Sequence, residues 1–137
     1  MPHTRSVPAL TLEGAKAMVA AAEAEGSRNG WNVAVAVVDA SGGLIVFHRL
    51  DNTQPASESI AIGKARTAAR FKRPSKLLED SVASGRVALL SLEGVIPMQG
   101  GLPIIVEQQV IGAIGVSGVT AVQDEQVAQI GLAAFAR

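Results

Sequence analysis

Lys64 is the residue whose setting most needs a chemical explanation. Helical spacing predicts a helix from about Ala56 to Phe71. At about 100° per residue, Ser57, Ile60, Ala61, Lys64, Ala68 and Phe71 fall on one arc, with Lys64 near its middle. Ser59, Arg66 and Arg70 fall on the opposite, solvated side. An ammonium inside an apolar arc must pair, reach the rim through its aliphatic stem, or give up its charge. It could bind an anionic ligand or act as an amine. It could equally form a structural ion pair, with Asp39 or Asp51 as partner. Ser57 and Phe71 share its arc and join it as candidate ligand contacts.

Arg49 and Asp51 stand two apart at the end of a predicted strand, so they share a face if the strand continues. Arg49 could hold a carboxylate there and Asp51 could serve as a base; a rim salt bridge is the plainer reading. Gly100-Gly101 offers backbone N–H groups to an anion, or simply turns the chain into the next strand. Ser91, Ser117 and His48 make no hydrolase set, because no GxSxG elbow accompanies them. Neither GxxxxGK[ST] nor a GxGxxG after a strand is present, which excludes the common phosphate loops.

The chain has two histidines, His3 and His48, and no cysteine. A dedicated zinc site needs several converging ligands and is not expected. Haem needs only one axial ligand, so the same count does not exclude it. His48 alternates with Leu44 and Val46, and a satisfied or exposed imidazole is expected.

These residues hang on one stretch, Val33 to Asp51. Val33 to Val38 is an unbroken apolar run; Asp39 to Gly43 is a turn cluster; Leu44 to Phe47 is a second apolar run. This reads as a β-hairpin. Val33, Val35 and Val37 occupy one face of the first strand, and Ala34, Ala36 and Val38 the other. A strand apolar on both faces must be covered on both. The chain carries too little helix to do this alone, so several copies are expected to associate.

Upstream, Thr11 is an N-cap and a helix spans residues 12 to 25, stopped by Gly26. Downstream, Pro74 ends the second helix and Ser75 to Ser84 forms a short helix. Leu89 to Leu92 makes a short strand or a helical turn. Pro103 to Val106 and Val110 to Val116 pair as a second hairpin, with Gly112 and Gly115 marking a close approach by another backbone or a ligand. Thr120 and Gln123 form a capping box for a terminal helix ending at Ala136, with Asp124 in its first turn. Two antiparallel hairpins flanked by helices imply an α+β domain.

The length, 137 residues, suits a single domain over 1–137, with residues 1–9 as a flexible tail. Twelve basic residues balance twelve acidic ones, so no net field draws the chain to nucleic acid or an anionic membrane. No apolar run reaches the roughly 18 residues of a membrane span. No secretory leader is visible and cysteine is absent, which fits a cytoplasmic setting.

An ordered set of motifs resembles the GlcG/HbpS-like haem-binding family, also found as the C-terminal domain of PduO-type corrinoid adenosyltransferases. The matching pieces are Ala20-Ala21-Ala22-Glu23; Val37-Val38-Asp39 with Gly42-Gly43; Phe47, Arg49, Asp51, Ser57, Ala61, Lys64-Ala65 and Thr67-Ala68. Gly100-Gly101, Pro103-Ile104, the run Ile111 to Gly118, and Asp124, Glu125 and Ala128 complete them. The resemblance implies a profilin-like fold with a five-stranded antiparallel sheet, a homo-oligomer (often an octamer), and binding of haem or a related tetrapyrrole. PduO-type relatives place an axial histidine on the first helix. This chain has none there, and Met18 is that helix's only soft ligand.

Three functions follow as alternatives. The first is an oligomeric small-ligand-binding protein, with haem as candidate ligand, attached to a catabolic or uptake pathway. The second is a small cofactor-independent enzyme acting on a carboxylate or oxygenated aromatic metabolite, with Lys64 and Asp51 as catalytic groups and Arg49, Gly100 and Gly101 binding the substrate. The third is an assembly partner with no ligand of its own.

Overall fold

A computed structural model describes residues 2–136. The first helix, α1, runs from Leu12 to Asn29. Thr11 caps it as expected, its side chain accepting from the Gly14 N–H at 3.0 Å. It does not stop at Gly26. The helix runs on through that glycine, where the lack of a side chain serves packing: a Cβ would sit 3.0 Å from Val33 Cγ2. The stop is Gly30, whose φ of 72° lets its N–H return to the Gly26 and Ser27 carbonyls.

Strands β1 (Ala34–Asp39) and β2 (Leu44–Arg49) form the first hairpin. Helix α2 (Ser57–Phe71) and helix α3 (Ser75–Ala83) follow, then a 3₁₀ turn over Val87–Ser91. Strands β3 (Gly101–Val106) and β4 (Gln109–Ser117) form the second hairpin. Helix α4 (Ala121–Ala133) carries the predicted Thr120–Gln123 capping box and ends three residues before Ala136. The sheet is antiparallel in the order β2-β1-β4-β3. It has four strands among the described residues, not five. The segment over Leu89 to Leu92 closes 3₁₀ hydrogen bonds and pairs with no strand.

The chain covers its central strand without help, which corrects the expectation that neighbouring copies must do so. Ala34 to Val38 are all fully buried within the single chain. Val33, Val35 and Val37 pack into the core that holds Met18 of α1 and Val127 of α4. Ala34, Ala36 and Val38 meet Ala61, Ala65, Ala68 and Ala69 of α2. Helix α2 covers its face because both partners are small. On the sheet side, Gly115 lies under Ala61 and Ala65, and Gly101 lies under the Lys64 carbonyl. The close approach inferred from Gly115 is that of a helix backbone on the strand.

A bulge between Val37 and Val38 breaks the β1–β2 register. It pairs Leu44 with Val38, whereas Val46 and His48 pair with Val37 and Val35. Leu44 therefore lies on the α2 side and His48 on the α1 side, and the simple alternation of His48 with Leu44 fails at the bulge.

Candidate functional site

The intimate fit of α2 on the sheet carries the Lys64 ammonium into the interior, where only 1% of the side chain is exposed. Nζ donates to the Val116 carbonyl and to Asp124 Oδ2, each at 3.0 Å. Asp124 is held in turn by the start of α4. Its N–H donates to the Thr120 carbonyl at 2.7 Å, and its second oxygen accepts from the Val119 N–H at 3.1 Å. Burial pushes the Asp124 carboxyl above the ordinary carboxylate range, against the pull of the Lys64 charge and the Val119 N–H. A Cβ on Gly100 would lie 2.9 Å from Nζ, so the wall beside the amine is backbone. Lys64 thus ties α2, β4 and α4 together. The anticipated ion pair exists, but its partner is Asp124 rather than Asp39 or Asp51.

Asp39 has a different task. Its Oδ1 accepts from the Ser41 N–H at 2.9 Å, the Ser41 hydroxyl at 2.8 Å and the Gly43 N–H at 2.9 Å, shaping the β1–β2 turn. Those donors, the Ser41 hydroxyl foremost, hold its carboxyl below the ordinary value of 3.8. The folded pKa is depressed, so this stabilisation is present above the ordinary value and is lost as pH falls through the lowered one. Asp39→Ala is expected to lower stability by about 1 kcal/mol at neutral pH. The deficit should hold down to about pH 4 and shrink below it, as read from urea midpoints across that range. A deficit that grows in acid would contradict the assignment.

The other predicted residues are partly brought together. Ala34 pairs with Arg49 on one side and Ser117 on the other, so these three share the α2 face of the sheet. Ser117 Oγ donates to Ser57 Oγ at 3.2 Å, and Gln54 Nε2 reaches the same Ser57 oxygen at 3.2 Å. Ser57 and the Arg49 row therefore meet at the N-terminal end of α2. Asp51 does not join them in an extended strand: β2 ends at Arg49, and Asp51 is exposed in the turn that follows. The Gly101 N–H is already donated, to Ser75 Oγ at 2.9 Å. Gly100, at φ 132°, accepts from the Val116 N–H at 3.1 Å. Phe71 is the last, half-buried residue of α2, and its carbonyl accepts from Arg73 Nε at 2.8 Å.

Sequence reasoning missed Asp124 and Ser75 as partners. Asp124 read as an acid suited to the first turn of α4 and as one piece of the family pattern, and nothing local signals a lysine 60 residues away. Ser75 carries no local signal either; its hydroxyl is buried between Met98 and Gly101.

Met18 does not fit the role of a haem ligand. It is fully buried between α1, the sheet and α4. A Cβ added at Gly131 would lie 3.0 Å from its carbonyl oxygen, so α4 closes over this turn of α1. His48 is exposed on β2, where Nδ1 contacts Glu23 Oε1 of α1, and His3 in the N-terminal segment is exposed as well. Among the described residues, no group of three or more His, Asp and Glu side chains converges as a metal site. No described helix is long and apolar enough to cross a membrane. Open cavities instead lie where residues 5–10 cross the end of the sheet that carries both hairpin turns. One, of about 530 Å³, is walled by Leu10, Ile45 and Ile111.

Comparison with known proteins agrees with this architecture. Residues 10–133 match the family described as haem degrading protein HbpS-like. Escherichia coli protein GlcG is 40% identical over 108 residues, covering 79% of this chain and 81% of that protein. The crystal structure of a double mutant of Streptomyces reticuli HbpS superposes with a TM-score of 0.92 at 32% identity, over 98% of this chain and 92% of that one. A PduOC:heme complex superposes at 0.86 with 28% identity, over 93% of this chain and 95% of that one. With the match running from Leu10, ahead of α1, to the last residue of α4, this chain belongs to the HbpS-like family.

Proposed function

We propose that this chain is an oligomeric small-ligand-binding protein, with haem or a related tetrapyrrole as the ligand class and a catabolic or uptake pathway as its setting. The observation that carries the reading is the likeness of nearly the whole chain to a domain whose crystal structure contains haem. A profilin-like fold is part of this reading, supported by the antiparallel α+β core. The cytoplasm is the proposed compartment.

Association of several copies, up to the octamer implied by the resemblance, is supported by apolar side chains left on α3, on the 3₁₀ segment and at Leu92 just after it. Leu77, Val87, Leu90 and Leu92 are between 44% and 63% exposed in the single chain. Such side chains on neighbouring turns favour burial between copies. The driving force is this surface, not the central hairpin.

Met18, fully buried, supplies no axial donor. Gripping a tetrapyrrole falls to accessible side chains, with His48 the exposed imidazole on the sheet. The expected result is a saturable Soret shift on hemin titration that survives Met18→Ala and weakens on His48→Ala. Native mass spectrometry of the same sample should show more than one copy. No saturable shift in the unmodified protein would remove tetrapyrrole as the ligand, and a stable monomer would remove the assembly.

A further inference from the structure

We propose that a groove beside the β3–β4 turn is a binding site for a small carboxylate with an apolar body. The proposal rests on the small-ligand reading above and names the chemistry its ligand would present. The groove has a volume of about 450 Å³, within the range of small-molecule sites.

Four separate segments line it: Ala40 of the β1–β2 turn and the three that supply its polar groups. Arg5 comes from the N-terminal segment. Lys72 follows α2 in the left-handed conformation, at φ 57°, with its N–H on the Ala68 carbonyl. The third segment is the tight hairpin turn, where Glu107 and Gln108 both take positive φ, 51° and 66°. The fixed backbone at Lys72 and Gln108 sets where these side chains start, so the site does not depend on one mobile loop.

The chemistry of the walls is one-sided. Arg5 and Lys72 are exposed cations, and Gln108 and Gln109 add primary amides able to donate. Among the described residues, no carboxylate lines the groove. Glu107 of the turn is in an interaction of its own and is not part of the lining. Val7, Ile105 and Val110 supply the apolar wall, and Ile105 is 57% exposed although it sits in a strand. Two cations beside an exposed isoleucine suit a ligand with one anionic end and one greasy end. A bare inorganic anion would leave the apolar wall unused, and a neutral hydrocarbon would leave the cations unused.

Sodium octanoate is the probe and 1-octanol its neutral control. Amide NMR of the isotope-labelled protein should show saturable octanoate shifts at residues 72, 105 and 108–110. The double variant Arg5→Gln, Lys72→Asn should bind octanoate about tenfold more weakly while 1-octanol is unaffected. Added salt should weaken octanoate in the same way. Asparagine is chosen at 72 because it tolerates positive φ. Unchanged octanoate affinity in the double variant, or shifts confined to other residues, would overturn the site. Hemin separates this proposal from the one before it. Saturable hemin binding that octanoate does not affect, in a protein without octanoate binding, rejects the groove and keeps the tetrapyrrole. Octanoate binding with no hemin binding does the reverse.

Discussion

Lys64→Met is expected to cost about 3–5 kcal/mol of folding stability, because it strands a buried carboxylate. Domains of this size hold about 5–15 kcal/mol in all, so the variant should be visibly less stable in urea. The loss is not the value of the ion pair. It is the cost of leaving Asp124, 4% exposed, with Val119 N–H as its remaining donor. A second substitution separates the two. Lys64→Met with Asp124→Leu replaces the pair by apolar side chains of similar bulk and should recover most of the stability.

The deficit of the single variant should also depend on pH, with a definite sign. Burial raises the Asp124 carboxyl even beside Lys64, and loss of the ammonium removes one of the two influences that lower it. A folded pKa above the ordinary 3.8 means that stability is retained below that value and lost as pH rises through the folded one. The Lys64→Met deficit should therefore be smallest in acid and largest at neutral pH. Equal urea midpoints for the variant and the unmodified chain at neutral pH would show that the pair does not hold the three elements together. A double variant as unstable as the single one would do the same.

Gly115→Ala is expected to cost about 3 kcal/mol, at the upper end for overpacking. A Cβ there would fall 2.5 Å from the Ala65 nitrogen and 3.0 Å from its Cα, besides striking the Ala61 carbonyl. All of these are backbone atoms of α2, so no rotamer change relieves the clash and the helix must lift. Lifting α2 also stretches the Lys64 bonds to Val116 and Asp124. The effect should therefore be non-additive with Lys64→Met, since both act on one contact. Gly85 offers a contrast in open space: nothing among the described residues lies within 4 Å of its Cβ position, and its φ of 110° is what resists a side chain. If Gly115→Ala melts with the unmodified protein, the close seating of α2 on β4 is wrong.

Much of the fold was written locally. Thr11 and the Thr120–Gln123 box cap their helices as read, because a cap is decided by a few adjacent residues. Both hairpins lie where apolar runs flank turn residues. The spacing of Gly112 and Gly115 announced a close approach, although not what approached. Gly26 misled because glycine both ends helices and lets them pack closely. Val33 reveals the second role, since it lies against Gly26 only in the folded chain.

The composition of the arc around Lys64 was sufficient to say that its charge needed a partner inside the protein. Choosing that partner required α4 to dock beside β4, a contact between residues 60 apart with no local trace. The same holds for cover of the central hairpin. Apolar pattern alone shows that both faces must be buried, but whether one chain suffices depends on how near a helix can come. Small residues at 61, 65, 101 and 115 let α2 approach closely, and the single chain closes over its own core. Pattern in the sequence states which groups must leave water, because that is a property of each side chain. Only the assembled backbone states which groups meet, because meeting depends on distances that no local spacing encodes.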